Sequence, residues 1–422
     1  MTRDISIVHS AQTDGKGARR GSERPLRLLL LTADIGEGHN SAARAIQHTV
    51  ERTWPGSEVT TFDSLSLLGA TVESLMRSTY QATLAYAPMI YDFYYRALWR
   101  MPRFARVAKR LVAALFGRRL AHVLDLVEPD VVVCTHPFGA AGMHWLRRNR
   151  SNRVPAATFI TDFAAHPFWV FPGVDVHFVM HDVAVGDAEG FGGGGVLVSA
   201  PPVARAFRPR NPNGSRAALG LREQACVILV TGGAWGVGTL LDAVVTLLGL
   251  DDSLQVVAVC GHNDRLRKRL EDLGASRDRL MPLGWVNTMP DLLAAADAVV
   301  TNAGGVTALE AFASARPLVL FDPIAGHGKA NAALMERAGL ATVCPTSDDL
   351  QQTIAALAED RARLDGLRKA ELEHLSTRDL ANDLRKVVSL SERWRPLVNG
   401  DGSRRGQPHD PAIGPGGGDT RP

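Results

Sequence analysis

Residues 301–312 read TNAGGVTALEAF, and the chain continues with RPLVLFDP at 316–323 and GHGKAN at 326–331. The order of apolar, glycine and polar positions predicts a strand at 298–301, a glycine turn, a helix, a second strand and a polar loop. Strands that alternate with helices in this way are typical of α/β domains. This stretch therefore predicts an α/β fold.

The glycine pair within this stretch also predicts a binding site. Gly304 and Gly305 precede the helix, where free backbone N–H groups and the positive end of the helix dipole can hold a diphosphate. Glu310 lies one helical turn below the opening, where its carboxylate could accept hydrogen bonds from ribose hydroxyls. A glycine pair alone is more often an ordinary tight turn. The block as a whole predicts a nucleotide-sugar site.

Short apolar runs without polar alternation recur along the chain, as is typical of strands covered on both faces. They lie at 26–31, 131–134, 156–160, 176–180, 196–198, 226–230, 255–260, 298–301, 317–321 and 341–344. Helical patterns separate many of them, at 41–53, 239–248 and 264–273. This alternation predicts parallel sheets with right-handed crossovers.

A break in the pattern at 200–216 contains four prolines and predicts a linker between two doubly wound, Rossmann-like domains. Ligands in such sheets bind at the carboxyl ends of the strands, so we expect the site in the cleft where the domains face one another. A final helical segment at 376–394 could pack back across this cleft. The predicted division is a disordered tail (1–24), an N-terminal acceptor and membrane-facing domain (25–203), a linker (204–216), a C-terminal nucleotide-sugar domain (217–397) and a second disordered tail (398–422).

Composition narrows the class of protein. The chain has 422 residues, 45% hydrophobic and 22% charged, and its net charge of +3 is too small to indicate nucleic-acid binding. Four widely spaced cysteines in apolar runs are typical of reduced core residues in the cytosol. Residues 1–24 lack the apolar region of a signal peptide, and no run of about 18 apolar residues predicts a membrane span. No Asp-x-Asp motif occurs, so we expect neither a metal nor a cofactor.

Candidate catalytic residues follow the predicted strands of the N-terminal domain. His39, at the mouth of the first helix, is either a general base or a helix cap. Asp162 could orient an acceptor hydroxyl or assist His39, and otherwise caps a turn. Trp169 could stack on a sugar, contact a lipid or lie in the core. His136 adds an imidazole nearby, although a histidine in that position is more often structural.

Two loops of the C-terminal domain could contact the donor. Gly232 and Gly233 follow its first strand and could approach a phosphate or lie under the donor sugar. Trp285 and Val286 precede another helix, and backbone groups at Val286 could hydrogen bond to the edge of a uracil. The alternative is a plain strand-to-helix connection.

Taken together, these segments resemble glycosyltransferase family 28, with the GT-B fold, and within it the branch of monogalactosyldiacylglycerol synthase and processive diacylglycerol glucosyltransferase. The resemblance covers about residues 26–385 and extends more loosely to the peptidoglycan enzyme that adds N-acetylglucosamine to lipid I. The residues that carry it are Asp34, Gly36, Glu37, Gly38, His39 and Ala42, then Thr161, Asp162, His166, Trp169 and Asp175, then Gly284, Trp285, Met289 and Asp297, then Ala303–Thr307, Glu310, Ala311 and Asn331.

The resemblance implies a UDP-sugar donor, a lipid-linked acceptor and inversion at the anomeric carbon. It implies that Gly304, Gly305 and Thr307 hold the diphosphate, that Glu310 holds the ribose, that Val286 lies at the uracil and that His39 is the base. The predicted donor site also contains Gly232, Gly233, Trp285, His327 and Asn331.

The chain departs from the family at positions that would touch the sugar. The usual Gly-Gln-Glu loop is replaced by GHGK at 326–329, Asn302 stands before Ala303, and Glu37 replaces a middle glycine of the N-terminal loop. These departures leave the identity of the donor sugar open.

Residues 91–120 contain eight basic residues and one acid among aromatic and aliphatic side chains. This composition is typical of a helical patch that binds anionic lipid, here through Arg100, Arg103, Arg106 and Lys109, with Trp169 as a further acceptor-side residue. The alternative is a solvated helix whose apolar side lies in the core.

The sequence thus predicts an inverting transferase that moves a hexose from a UDP-sugar to a lipid such as diacylglycerol, without a metal. We expect the protein in the cytoplasm, peripherally associated with the inner face of the plasma membrane. Three alternatives remain: a GT-B enzyme that glycosylates a soluble secondary metabolite, an isomerase of the UDP-sugar 2-epimerase type, and a non-catalytic nucleotide-sugar sensor.

Overall fold

A computed structural model describes residues 8–9, 25–35, 37–236, 238–274, 276, 278–302, 304–376 and 378–394. The predicted tail at 398–422 lies outside the described residues, as does the tail at 1–24 apart from Val8–His9. Gly36, Val237 and Ala303, which belong to the predicted loops, also lie outside them.

The N-terminal half is a seven-stranded sheet in the order β1-β3-β2-β4-β5-β6-β7. Six strands are parallel, and β1 pairs antiparallel with β3 at one edge. The strands are β1 (Val8–His9), β2 (Arg27–Thr32), β3 (Glu58–Asp63), β4 (Val131–Cys134), β5 (Ala156–Phe159), β6 (Val176–Val179) and β7 (Val196–Val198). The helices are α1 (Glu37–Thr53), α2 (Ala70–Tyr86), α3 (Pro88–Arg100), α4 (Pro102–Val127), α5 (Pro137–Asn149) and α6 (Val185–Gly190), with short 3₁₀ turns at Ser64–Leu68, Pro167–Trp169 and Asp182–Ala184.

The C-terminal half is a six-stranded, wholly parallel sheet in the order β10-β9-β8-β11-β12-β13. Its strands are β8 (Cys226–Thr231), β9 (Leu254–Val259), β10 (Leu280–Leu283), β11 (Ala298–Thr301), β12 (Leu318–Phe321) and β13 (Ala341–Cys344). The remaining helices are α7 (Pro212–Leu219), α8 (Leu240–Leu248), α9 (Asp264–Glu271), α10 (Met289–Ala295), α11 (Val306–Ala313), α12 (His327–Arg337), α13 (Ser347–Glu359), α14 (Arg361–Ser376) and α15 (Leu380–Trp394).

Each apolar run that the sequence analysis singled out forms a strand, within one or two residues at its ends. Two further strands were not expected from the sequence: β3, whose sequence EVTTFD contains four polar and two apolar residues, and β10, whose sequence LMPL contains a proline. β10 lies at an edge of its sheet, where proline is tolerated because one side of the strand needs no ladder hydrogen bonds.

The chain crosses between the two halves twice. The first crossing follows β7 and ends at α7, which begins at Pro212, so the end of the predicted linker 204–216 is helical. Arg216, on α7, forms a buried ion pair with Asp297 and donates to the carbonyl of Ala295, which fixes this end to the C-terminal sheet.

The second crossing lies between α14 and α15 and returns the chain to the N-terminal half. Helix α15 packs on α1 and β4. Asp383 of α15 is buried and accepts hydrogen bonds from Ser199 Oγ (2.8 Å) and Ala200 N–H (3.1 Å). This last helix therefore packs back across the cleft, an arrangement that the sequence left open.

Candidate functional site

A cavity of about 1470 Å³ lies between the two halves, at the carboxyl ends of both sheets. Most of the predicted site residues line it. They are His39, His136, Asp162 and Trp169 from the N-terminal half, and Gly232, Gly233, Trp285, Val286, Gly305, Thr307, Glu310 and His327 from the C-terminal half. Gly304 and Asn331 lie just behind its wall.

His39 lies in the first turn of α1 and has a defined tautomer. Its Nδ1 lies 2.9 Å from the carbonyl oxygen of Thr135 and 3.2 Å from Thr161 Oγ1. A carbonyl oxygen only accepts, so Nδ1–H donates and Nε2 keeps its lone pair. Burial lowers the pKa of His39 below 6.5, against a smaller opposing effect of Asp162. His39 is therefore a neutral imidazole with a free acceptor nitrogen.

His136 lies beside His39, with the two ring centroids 4.7 Å apart. It is the residue that caps α5, and its Nδ1 accepts the backbone N–H of Phe138 at 3.3 Å. Burial and the neighbouring His39 hold the pKa of His136 well below 6.5. Because Nδ1 is already an acceptor in the cap, the neutral ring carries its hydrogen on Nε2, so His136 can donate a hydrogen bond but not take up a proton there.

Asp162 and Asn331 connect the two halves. Asn331 Nδ2 donates to Asp162 Oδ1 (3.2 Å), and Asn331 Oδ1 accepts the N–H of Ala164 (2.8 Å). The second oxygen of Asp162 accepts from Trp169 Nε1 at 2.9 Å. Asn331 is completely buried, so in this structure it holds the halves together instead of facing the predicted donor site. Trp169 is also buried, with its ring 5.8 Å from that of His39, and it does not face a lipid.

The N-terminus of α11 opens into the cavity. Gly305 is its N-cap, and a Cβ there would meet open space. The N–H groups of Val306 and Thr307 have no partner within the helix, because the first turn of an α-helix leaves its donors free. Gly304 is required for packing, since a Cβ at that position would lie 2.5 Å from the Cβ of Asn331.

Glu310 lies one turn further along α11 and is half-buried at the cavity wall. Its carboxylate forms no hydrogen bond or ion pair with the residues that the structure describes. Burial raises the pKa of Glu310 to about 8, and Arg44 from α1 partly offsets this effect. A carboxyl group in such a position is available to accept hydrogen bonds from the hydroxyl groups of a ligand.

The first turn of helix α1, from the N-terminal half, contacts the start of α11. A Cβ at Gly38 would lie 3.1 Å from a methyl group of Val306, so the first turns of α1 and α11 touch. Arg44, on the same side of α1, lines the cavity and pairs with Glu37. Arg44 lies one and a half turns beyond His39, and no motif in the sequence marks it as a site residue.

An aromatic wall completes the C-terminal side. Trp285 stacks on His262 with ring centroids 4.4 Å apart and planes 8° apart, and Trp235 lies 5.8 Å from His262. Sequence reasoning missed His262, although it follows β9 at the same carboxyl edge as the predicted loops. The Val286 backbone and the glycine loop at Gly233 line the cavity beside this wall.

His327 begins α12 and contacts the N-terminal half. Its Nδ1 lies 3.1 Å from the hydroxyl of Tyr91 on α3, and the preceding Gly326 N–H donates to Asp92 Oδ1 at 3.1 Å. Tyr91 and Asp92 fall within the segment predicted as a membrane patch, and nothing in the local sequence indicates this second contact.

That segment divides at Met101–Pro102 into α3 and α4, because proline begins the new helix. Arg100, Arg103 and Arg106 are exposed. Lys109 differs from them: it donates to the carbonyl of Val170, lies over the ring of Phe171 and has its pKa lowered by burial to about 8. The predicted lipid contact of Lys109 is therefore corrected, since its ammonium group points into the protein.

Among the described residues, no three or more His, Cys, Asp or Glu side chains form a group that could hold a metal ion. The helices described in the structure include none with the length and apolar character needed to cross a membrane.

Two family models match the chain, one in each half. The model of monogalactosyldiacylglycerol (MGDG) synthase matches residues 39–191, and the glycosyltransferase family 28 C-terminal domain matches residues 227–384. Similar curated proteins include the processive diacylglycerol beta-glucosyltransferases of Bacillus pumilus and Bacillus subtilis. Each is 26% identical over 81% of this chain, and the matches cover 89% and 90% of those proteins.

Solved structures with the same fold include the calicheamicin glycosyltransferase CalG4, with a TM-score of 0.57, 18% identity and coverage of 89% of this chain and 100% of that one. Acinetobacter baumannii MurG matches with a TM-score of 0.54, 14% identity and coverage of 87% and 99%. The fold is GT-B, as the sequence predicted. The chain therefore combines a region that matches MGDG synthase with a glycosyltransferase family 28 C-terminal domain around one cavity, and it is a sugar-transferring enzyme similar to the processive diacylglycerol glucosyltransferases.

Proposed function

We propose that this enzyme transfers a hexose from a UDP-sugar to diacylglycerol or a closely related lipid at a membrane surface, with inversion at the anomeric carbon. One observation carries the proposal: His39, whose Nε2 keeps its lone pair, and the N-terminus of α11 line one cavity from different halves of the protein, with the first turns of their helices in contact. A base and an anion site in this arrangement are the two groups that an inverting displacement of a diphosphate needs.

In the proposed reaction, the acceptor hydroxyl gives its proton to His39 Nε2 as its oxygen attacks the anomeric carbon. The bond between that carbon and the diphosphate oxygen breaks, and UDP carries away the electron pair. The N–H groups of Val306 and Thr307 and the α11 dipole stabilise the new negative charge. Glu310 accepts hydrogen bonds from the ribose, and the aromatic wall with Val286 accommodates the base.

The similar proteins support both substrates. The Bacillus relatives are named for transfer of glucose to diacylglycerol. A Staphylococcus aureus protein with the same fold, MnaA, has been solved with UDP, at a TM-score of 0.54 and 14% identity. Action at a membrane is supported by the exposed apolar side chains of α3 and α4, which include Met89, Phe93 and Leu111.

The test is incubation of the purified protein with UDP-glucose, UDP-galactose or UDP-N-acetylglucosamine and vesicles that contain dioleoylglycerol, followed by mass spectrometry of the lipids. A glycosylated lipid with one of the donors is the expected result. UDP release that depends on diacylglycerol separates this function from an isomerase or a sensor, which need no acceptor. Transfer only to water-soluble acceptors would contradict the lipid assignment.

A further inference from the structure

Helix α3 presents two opposite faces that differ in their surroundings. At 100° per residue, Tyr91, Asp92 and Tyr95 lie on one side of the helix, whereas Ile90 and Phe93 lie on the other. The first side packs inside the protein and the second is exposed.

The inner face holds a loop of the other half. The donor loop, residues 322–326 between β12 and α12, lines the cavity and ends at His327. Asp92 accepts the N–H of Gly326, and the Tyr91 hydroxyl lies 3.1 Å from His327 Nδ1. Gly326 has φ of +70°, and a Cβ there would lie 2.5 Å from the Tyr91 ring, so only glycine permits this approach. Inside the N-terminal half, Tyr95 stacks on His166 with centroids 4.1 Å apart, which anchors the same face.

The outer face is apolar and open. Met89, Ile90 and Phe93 are 84%, 65% and 73% exposed. The adjoining start of α4 continues this surface with Met101, Phe104 and Val107, which are also exposed. An apolar helical face flanked by exposed arginines at 100, 103 and 106 matches the chemistry of an anionic bilayer surface.

We infer that Tyr91 and Asp92 are positioning residues that couple membrane docking to donor binding. This inference rests on the proposed function and deepens it. A bilayer that fixes the outer face of α3 also fixes the inner face, and so holds the donor loop against the cavity. Because such coupling is reciprocal, bound donor must strengthen membrane binding by the same factor as the membrane strengthens donor binding.

The experiment measures the affinity of UDP-glucose with and without phosphatidylglycerol vesicles that lack diacylglycerol, so that no lipid product forms. For the parent protein we expect vesicles to tighten donor binding roughly fivefold or more, a usual size for coupling between sites. Tyr91→Phe removes the hydroxyl that contacts His327 and should reduce this factor to near one, while vesicle affinity without donor stays at the parent value.

Two comparisons separate positioning from general loss of structure. Tyr86→Phe makes the same change at an exposed tyrosine at the end of α2 and should keep the full vesicle effect. Asp92→Asn keeps an oxygen that accepts the Gly326 N–H, whereas Asp92→Ala does not, so the first should retain the coupling and the second should lose it. In turnover on vesicles, Tyr91→Phe should raise the donor KM and leave kcat within a few-fold.

A parent protein that glycosylates diacylglycerol but binds UDP-glucose equally with and without vesicles would overturn this inference alone. The same holds if Tyr91→Phe and Tyr86→Phe respond alike. Absence of lipid glycosylation with every donor would instead contradict the proposed function.

Discussion

At the scale of single residues, the structure distinguishes two neighbouring histidines by which nitrogen is occupied. His136 uses Nδ1 to cap a helix, whereas His39 donates from Nδ1 and leaves Nε2 free. Burial keeps both neutral. A base must accept a proton through a nitrogen that reaches the substrate, so His39 and not His136 satisfies the requirement. Asp162 accepts hydrogen bonds at both oxygens within the protein, and its charge opposes the lowering of the His39 pKa by burial.

We therefore predict that His39→Ala lowers kcat by about 10²–10⁴, the usual effect of losing a general base. UDP affinity should stay the same, because the proposed nucleotide contacts come from the other half. Steady-state kinetics and calorimetry with UDP measure the two quantities. His136→Asn is the matched control, since asparagine can still cap α5, and it should keep turnover within a few-fold. Survival of kcat in His39→Ala would make Asp162 the leading candidate for the base.

Glu310 leads to a prediction about stability as well as binding. Its folded pKa of about 8 exceeds its ordinary value of 4.5. The folded state therefore holds the proton more tightly than the unfolded chain, and the free energy of unfolding falls as pH rises from about 4.5 to 8. Glu310→Gln carries no such charge and should be more stable than the parent at pH 8, on the order of 1–3 kcal/mol after screening at the cavity surface.

Above pH 8, where Glu310 is ionised, the same Glu310→Gln variant should bind UDP more weakly by roughly 1–3 kcal/mol, the scale for hydrogen bonds to a charged group. Denaturant unfolding at pH 5 and pH 8, together with calorimetry, checks both expectations. Gln47→Ala, a substitution on α1 outside the cavity, should change neither quantity in this pH-dependent way. Equal stability of Glu310→Gln and the parent at both pH values would show that the carboxylate is not strained by burial.

At the scale of elements, the proposed leaving-group site consists of helix ends. Helices α1, α11 and α12 all begin at the cavity, and the first turns of α1 and α11 touch. Oriented N–H groups can stabilise a leaving diphosphate without a divalent cation. We predict that turnover in excess EDTA stays within about twofold of the untreated rate. Loss of activity in EDTA that Mg²⁺ or Mn²⁺ restores would contradict this account.

The basic residues at the start of α4 have two different environments. Arg103 and Arg106 are exposed, whereas Lys109 donates to Val170 and covers Phe171. Replacing Arg100, Arg103 and Arg106 together by Gln should weaken binding to anionic vesicles by about 1 kcal/mol per charge. Lys109→Gln should leave vesicle affinity nearly unchanged. Vesicle flotation at physiological salt compares them, and equal losses per residue would contradict the assignment of Lys109 to the interior.

At the scale of the whole molecule, α15 fastens the C-terminal end of the described chain to the N-terminal half. Asp383 is buried and accepts from Ser199 Oγ and Ala200 N–H. Asp383→Ala leaves both donors without their partner and should lower the free energy of unfolding by about 1–3 kcal/mol. Asn382→Ala, its exposed neighbour, serves as the control in thermal unfolding. A change in Asp383→Ala no larger than in Asn382→Ala would mean that these hydrogen bonds contribute little.

The sequence could predict those site residues whose position follows from the order of strands, turns and helices along the chain. His39, Gly232 and Gly305 each follow a buried strand, and the edge of a parallel sheet brings such positions together. Asn331 and Tyr91 could not be placed in this way, because their partners lie 169 and 236 residues away in the chain. Lys109 shares its spacing with the exposed arginines, and its side chain turns inward because Val170 and Phe171, about 60 residues further along the chain, lie beside it.

The two crossings of the chain have a mechanical consequence. The first begins at Ser199 and the second ends at α15, and the hydrogen bond from Ser199 to Asp383 ties them side by side. We expect two adjacent covalent connections to allow the halves to rotate about the line that joins them. They should oppose sliding and twisting of one half relative to the other. On the cavity side, the halves are joined by noncovalent contacts, which include the hydrogen bonds of Asn331 and Gly326. We therefore expect the halves to open for substrates by rotation about the axis of these crossings, and closure to bring His39 and α11 back to the same relative position.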